Sequence, residues 1–253
     1  MVADELATGV AALPRHWHAH YFAAVDSTQD EARAASRGGA PHRSIFVADY
    51  QRAGRGRQGR AWLATPGVAL LLSIVFRDSA PTPIPWRWTS LASLALAEAI
   101  EHVLPALHPS IKWPNDVLLN DRKVAGVLAE TTWDGEQLVA IVGVGINVRT
   151  DPADLAAVGA PATSLKLASQ QDVDRGRLLR AFVERLDAGL ERSAPARHAA
   201  WEARLWGRGQ RLHLSDLGID EDVIVLGADP DGSLRVRRRD GTERRTTTGE
   251  LIL

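Results

Sequence analysis

Between Gln51 and Trp62 the chain reads Gln-Arg-Ala-Gly-Arg-Gly-Arg-Gln-Gly-Arg-Ala-Trp, with four arginines, three glycines and no acid in twelve residues. Glycine admits positive φ and close backbone approach. Arginine presents a planar fork of donors suited to phosphate or carboxylate. The stretch therefore reads as an anion-binding loop. Its Gly54-x-Gly56-x-x-Gly59 spacing matches the dinucleotide fingerprint, which needs a following helix to receive a pyrophosphate. Thr65-Pro66-Gly67 places a turn there instead, which excludes a Rossmann unit at this point. Taken alone, the loop also fits a solvated basic segment or an Arg-Gly segment that binds nucleic acid.

Bulk properties narrow the choice. At 253 residues and 45% apolar, the chain can build one large domain, or a medium one with a small companion. A net charge of -1 argues against global electrostatic binding to nucleic acid or membrane. There is no cysteine, which excludes disulfides, thiolate metal sites and a cysteine nucleophile. No signal peptide is legible before Leu13, and no apolar run reaches the length of a membrane span. A soluble cytoplasmic protein is expected. Of 30 basic residues only Lys112, Lys123 and Lys166 are lysine, so a lysine in this chain marks a place that suits a compact ammonium.

Periodicity predicts a short helix over residues 2–13, a strand over Trp17–Val25, and a helix over Gln29–Arg37 stopped by Gly38-Gly39. Strands follow at Ser44–Tyr50 and Val68–Phe76, then a long helix over Trp86–Leu104 ended by Pro105 and Pro109. Val117–Leu119, Lys123–Glu130 and Leu138–Gly145 read as further strands. Leu178 through Leu190 mark an amphipathic helix, and a short helix is expected over His198–Leu205. After Gly207 the texture changes to short alternating runs (Arg211–Leu214, Val223–Leu226, Ser233–Arg238, Leu251–Leu253) separated by turns. That pattern predicts a small all-β unit, with domains at 1–207 and 208–253.

Three polar stretches fall where a strand meets a turn, which is where α/β sheets bind ligands. In Ser27-Thr28-Gln29, neutral donors and acceptors meet a helix start, and a side-chain cap by Ser27 or Thr28 is the plain alternative. In Lys112-Trp113-Pro114-Asn115-Asp116, Pro114 stiffens the backbone beyond the lysine and so aims its ammonium; an ordinary turn is the alternative. Gly143 and Gly145 interrupt an apolar strand before Ile146-Asn147, which suggests close backbone approach or else a bulge. His16, His18 and His20 share one strand face and have a zinc-like ligand set, but no acidic or cysteine partner lies near them in sequence, and a solvated face is expected.

Five stretches in order carry a resemblance. They are Asp26-Ser-Thr-Gln29, the loop Gln51–Trp62, Lys112–Asp116, Lys123-Val-Ala-Gly-Val-Leu-Ala-Glu130 and Gly143-x-Gly-Ile-Asn147. Together they resemble the biotin protein ligase family, from about Val25 to the C-terminus. The resemblance implies an α/β (α+β) fold, with a central mixed sheet flanked by helices and a small C-terminal SH3-like β-barrel. It implies activation of biotin by ATP and Mg²⁺ as biotinyl-5′-AMP, then transfer to a lysine of a biotin carboxyl carrier domain of acetyl-CoA or another acyl-CoA carboxylase.

By the same resemblance, Ser27, Thr28, Gln29 and Gln51 line the biotin pocket. Arg55, Gly56 and Arg57 close over biotin and the adenylate phosphate, with Arg60 on the adenylate side. Lys112 stabilises charge at the reacting carboxylate and phosphate. Trp62 walls the adenylate site, and Asn115, Lys123 and Asn147 lie near the adenylate or metal. Metal ligands are not assigned. Too few residues precede Val25 for the helix-turn-helix some members carry, so no DNA binding and no membrane association are expected. An exposed sheet edge allows a homodimer. The rivals are lipoate–protein ligase, which shares the adenylation logic, and a nucleic-acid-binding module built on the Arg-Gly loop.

Overall fold

The apolar run that follows the Arg-Gly loop becomes the central strand of the molecule. The computed structural model describes residues 4–78, 85–156, 161–216 and 219–252. A seven-stranded sheet contains β1 (His18–Phe22), β2 (Ser44–Ala48), β3 (Ala69–Asp78), β4 (Ser110–Lys112), β5 (Asp116–Leu119), β6 (Arg122–Asp134) and β7 (Gln137–Asn147), in the order β1-β2-β3-β7-β6-β5-β4. Only β1 and β2 pair in parallel; the remaining pairs are antiparallel. The sheet is therefore mixed, as expected.

Alternation along the strands sends neighbouring side chains to opposite faces. One face carries Leu70, Leu72, Ile74, Val142, Val144 and Ile146, buried under α3 (Pro85–Val103) and α6 (Arg175–Glu191). The other face is covered only in part, by α2 (Thr28–Arg37), where Ala32 packs on Phe46, Val75, Val139 and Ile141. Beyond that patch the same face changes character. The next positions are Ser73 paired with Gly143, Leu71 paired with Gly145, and Gly126 opposite Gly145. Side chains have been removed from the sheet there, and the space they leave is the site.

The N-terminal helix α1 (Glu5–Ala11) lies across α6. A Cβ on Gly9 would come 2.4 Å from the Cα of Gly176, so both positions need glycine at the crossing. Glu5 ties the helix down through Arg149 at 2.7 Å and Arg175 at 3.1 Å, and Arg175 reaches Asp49 at 2.7 Å. Short helices α4 (Pro152–Ala156) and α5 (Leu165–Ser169) lead into α6, and α7 (Ala194–Glu202) follows it. The last five strands, β8 (Arg211–Asp216), β9 (Ile219–Ala228), β10 (Leu234–Arg237), β11 (Glu243–Thr246) and β12 (Glu250–Ile252), form an antiparallel sheet in the order β11-β10-β9-β8-β12. This is the expected β unit. Its core is continuous with the outer strands of the first sheet and the helices beside them: Leu212, Val223 and Leu251 share a cluster with Ile111 of β4, Leu118 of β5, Leu94, Trp113 and Trp201. Trp113 also donates its indole N–H to the Gly232 carbonyl at 2.9 Å. Among the described residues no helix is long and apolar enough to cross a membrane.

Several sequence expectations need correction. The strand expected over Trp17–Val25 ends at Phe22, and Val25 keeps only an isolated bridge to Gln51. The helix expected over His198–Leu205 runs instead from Ala194 to Glu202, because the Ser193 hydroxyl caps it by accepting from the Ala196 N–H. His16 does have an acidic neighbour, Asp187 at 2.8 Å, supplied by α6 from far along the chain. His20 stacks on Phe46, and no cluster of metal-ligating side chains forms among the described residues. Met1 to Ala3 and Leu253, at the ends of two expected elements, lie outside the described residues.

Candidate active site

A cavity of about 870 Å³ opens over the stripped part of the sheet. The start of α2, the Arg-Gly loop, the β4–β5 turn and the C-terminal strand β12 close it in. Every residue that the resemblance placed at the site lines it: Ser27, Thr28, Gln29, Gln51, Arg55, Gly56, Arg57, Arg60, Trp62, Lys112, Asn115, Lys123 and Asn147.

The inner end is neutral and hydrogen-bonded. Ser27 sits at the N-cap position of α2, but its hydroxyl makes no cap bond. The capping expected of Ser27 or Thr28 comes instead from Gln51, whose Oε1 accepts from the Thr28 backbone N–H at 2.7 Å and from the Thr28 hydroxyl at 2.9 Å. A side chain from the strand-to-loop junction thus satisfies one of the orphan donors of the helix. The Thr28 hydroxyl also lies 2.9 Å from that of Ser73, which donates to Gln29 Oε1 at 3.0 Å. The Gln29 amide nitrogen donates to Glu130 at 3.0 Å and to the Ile141 carbonyl at 3.2 Å. Both ends of Gln29 are therefore engaged within the protein. The Ser27 hydroxyl, in contrast, is buried without a partner, the condition of a polar group kept for a ligand.

The glycines are explained by what approaches them. A Cβ on Gly143 would stand 2.7 Å from Gln29 Oε1, and one on Gly145 would stand 2.5 Å from the Trp62 indole. On Gly126 it would meet both Trp62 and Lys123 at 3.2 Å. Cross-strand pairing of Gly126 with Gly145 leaves a slot that the Trp62 indole occupies. The indole N–H is buried with no partner.

The outer end is charged. The Arg-Gly loop closes on itself as a small hairpin, with the Trp62 N–H donating to the Gly54 carbonyl at 2.9 Å and the Gly56 N–H to the Arg60 carbonyl at 2.7 Å. Gly59 takes φ of +74° at its tip, a value glycine adopts without strain. No helix follows, in agreement with exclusion of a Rossmann unit. Arg55 pairs with Asp30, and Arg57 donates to Asn115 Oδ1 at 3.0 Å. Asn115 is itself fixed to Val127 through its amide and its backbone carbonyl. Lys112 ends β4 beside a buried Trp113, and Lys123 pairs with Asp116 at 2.8 Å. Asn147 is held by the Thr163 carbonyl at 3.2 Å.

Sequence reasoning missed Glu250. It reaches in from β12 and lies 2.9 Å from Arg60 and 3.6 Å from Lys112. Burial alone would raise its carboxyl, but the Arg60 hydrogen bond and the charges of Lys112 and Arg60 hold it below the usual carboxylate range. Burial pulls the Arg57 guanidinium below its ordinary value, against the charges of Asp116 and Glu250; an arginine stays charged all the same. Along the cavity wall Arg55, Arg57, Arg60, Lys112 and Lys123 face Asp116, Asp121 and Glu250. With Asp30, which pairs with Arg55 from beside the wall, four acids meet these five cations and leave one positive charge in excess at the mouth, a field that favours anions. Ser73 and Gly126 were also missed. A lone polar residue in the run Ala69–Phe76 and a third strand glycine were their signals. Glu250 had no local signal.

The family described as "Biotin/lipoate A/B protein ligase family" matches residues 21–147. The chain is 30% identical over 233 residues to the bifunctional ligase/repressor BirA of Bacillus subtilis, covering 90% of this chain and 71% of that one. It is 34% identical over 211 residues to the biotin–[acetyl-CoA-carboxylase] ligase of Mycobacterium tuberculosis, covering 81% and 76%. Among solved structures, the biotin protein ligase from Aquifex aeolicus in complex with biotin and ATP is similar, with a TM-score of 0.78 and 27% identity over 92% of this chain and 97% of that one.

Proposed function

The chain belongs to the biotin/lipoate A/B protein ligase family and is an enzyme of the biotin-ligase kind, and from that premise we propose that it makes biotinyl-5′-AMP and passes the biotinyl group to a lysine of a carboxylase carrier domain. One observation carries the reading. A single cavity joins a neutral, donor- and acceptor-rich inner end to a cationic mouth. A ring urea suits the first, and a carboxylate beside a triphosphate suits the second.

The chemistry follows from the charges. A biotin carboxylate oxygen attacks the α-phosphorus of ATP, which arrives as its magnesium complex, and the bond to the β-phosphate breaks to release pyrophosphate. Both reactants are anions. Lys112 and Arg57 offset their repulsion and meet charge where it develops. Arg55, Gly56 and Arg60 close the Arg-Gly hairpin over the product. Trp62 walls the nucleotide side, and Asn115, Lys123 and Asn147 orient it. Asp116 is a carboxylate suited to sharing magnesium with the phosphates, in keeping with the one or two carboxylates such a site needs. The amine of the acceptor lysine then attacks the acyl carbon of the mixed anhydride, an amide forms, and AMP leaves. In this reading residues 1–207 form the catalytic domain, and residues 208–253 complete its mouth with Glu250.

Lipoate is the nearest competing substrate. Its dithiolane ring has no hydrogen-bonding group, so it would leave Ser27 unpartnered and the neutral end desolvated, at a cost of about 1–3 kcal/mol per buried group. The test is pyrophosphate release with MgATP and either acid, followed by transfer to a purified carrier domain. Biotin-dependent release and a biotinylated carrier are expected. Release with lipoate alone, or none with biotin, overturns the proposal.

A further inference from the structure

The loop that carries Arg55, Arg57 and Arg60 leaves the sheet where β2 and β3 part. The last rung of their ladder pairs Ala48 with Leu71. One step on, the backbone tie is stretched, and the Gly67 N–H reaches the Asp49 carbonyl at 3.5 Å. A buried arginine from far along the chain takes over at that point. Arg175 is the first residue of α6 and is 5% exposed. Its Nη1 lies 2.7 Å from Asp49 Oδ1 and 3.2 Å from the Ala69 carbonyl. From the structure we infer that Arg175 is a positioning residue, an ionic rung at the base of the Arg-Gly loop that keeps the loop aimed over the bound intermediate. The inference rests on the proposed function and deepens it.

The base matters because the tip is loosely held. The hairpin closes on itself between Gly54 and Trp62 and between Gly56 and Arg60, so it moves as a body. Arg55 and Arg60 pair with acids that are partly exposed, Asp30 and Glu250, and such pairs exchange readily. Below the hairpin, the Arg52 and Ala53 N–H groups bond to the Val25 and Asp26 carbonyls, and the Arg149 N–H bonds to the Val68 carbonyl at 2.7 Å. Each of these bonds ties one stem of the loop to a different neighbour. Arg175 ties the two stems to each other. Play in their spacing becomes a larger displacement at Arg57, as at the end of a lever.

The rung has one geometry. A guanidinium is a rigid planar fork. Nη1 serves the two stems while Nε is held by Glu5 at 3.1 Å. Arg149 fixes Glu5 in turn, with bonds of 2.7 and 2.9 Å to its two oxygens, and α1 is seated by the glycine crossing with α6. Leu178, Leu179 and Phe182 anchor the same helix in the core. A buried bridge of this kind is stable only with its partners in place, because removing one leaves a charge uncompensated. The mouth can therefore exchange its ion pairs while its foundation stays fixed.

The half-life of bound biotinyl-5′-AMP tests this. The intermediate is formed in place from labelled biotin and MgATP, then chased with unlabelled biotin well below the thermal midpoint. The proteins are the native chain, Arg175→Met, Asp49→Ala, the double variant Asp49→Ala/Arg175→Met, and Leu186→Ala. Leu186 is fully buried on α6 away from the rung, so its truncation destabilises the same helix through a cavity and leaves the rung intact. Arg175→Met should release the intermediate about tenfold faster, within the span that a residue without ligand contact carries. Asp49→Ala cuts the rung from the loop side, leaves Arg175 paired with Glu5, and should show most of that effect with a smaller fall in thermal midpoint. The double variant should release no faster than Arg175→Met, because both changes break one contact. Leu186→Ala should retain the intermediate as the native protein does. An unchanged half-life in Asp49→Ala, effects that multiply in the double variant, or an equal loss of retention in Leu186→Ala overturns the inference alone. A native protein that forms no biotinyl-5′-AMP overturns the proposed function, and this inference with it.

Discussion

The two ends of the cavity are built on different principles. The inner end is neutral, largely buried and closed by hydrogen bonds among Thr28, Gln51, Ser73 and Gln29. The mouth is charged and partly exposed. Its cations are parked on acids of the same chain: Arg55 on Asp30, Lys123 on Asp116, and Arg60 with Lys112 on Glu250. Buried neutral networks are costly to leave half-satisfied, so they hold one geometry. Exposed ion pairs are worth little, so they exchange partners readily. The inner end should therefore govern which molecule binds, and the mouth should govern what happens to it.

Four measurements test that division, and the largest effect belongs to the mouth. Lys112→Ala should lower kcat of pyrophosphate release roughly a hundred- to a thousandfold, the scale for losing one group aimed at developing charge. Biotin affinity and thermal midpoint should hardly change. An equal loss of biotin affinity would merge the two ends into one. Thr28→Val keeps the shape of the inner end and removes its hydroxyl. Biotin Kd should rise about ten- to a hundredfold, from the cost of stranding buried partners, with kcat little altered. A kcat effect larger than the Kd effect would reverse the assignment.

Arg57→Gly removes a cation that Asn115 holds over the mouth. The intermediate should then escape about tenfold faster, the worth of one charge-assisted hydrogen bond. Biotin would appear on bystander lysines, read by blotting with streptavidin. A flat bystander signal would deny the mouth its retaining role. The smallest effect concerns Glu250. Its folded carboxyl lies below the ordinary 4.5, so its ion pairs stabilise the fold at neutral pH and are lost as pH falls through and below that value. Glu250→Gln should melt slightly below the native protein at neutral pH, and the two should converge on acidification. A constant gap would show that the carboxylate charge does nothing there.

Much of the site was legible residue by residue, because its chemistry sits at strand ends and is marked by glycine, proline or a rare lysine. Gly143 and Gly145 announced close approach, and Gln29 and Trp62 are what approach. Ser27 and Thr28 announced a helix start but not the residue that caps it, since Gln51 reaches the helix only through the crossover to β2. The acidic neighbour of His16 was out of reach for the same reason: Asp187 lies 171 positions away. Strands were found more reliably than their ends. β6 runs four residues past its expected end at Glu130 because β7 completes its ladder to Asp134, and pairing of that kind depends on the partner rather than on local pattern.

By itself, the sequence determined the inventory and its order: an Arg-Gly loop without an acid, a lysine braced by proline, strands whose polar and glycine positions share one parity, and a β unit after Gly207. These depend on composition and short spacing, which a linear chain states outright. Only the tertiary structure decided which of them meet. The register that sets Gly126 opposite Gly145, the reach of Gln51 onto α2, and the arrival of Glu250 between Arg60 and Lys112 all join residues far apart in the chain. Such meetings are settled by burial of the two continuous cores, whose best packing selects one register and one docking of the C-terminal sheet.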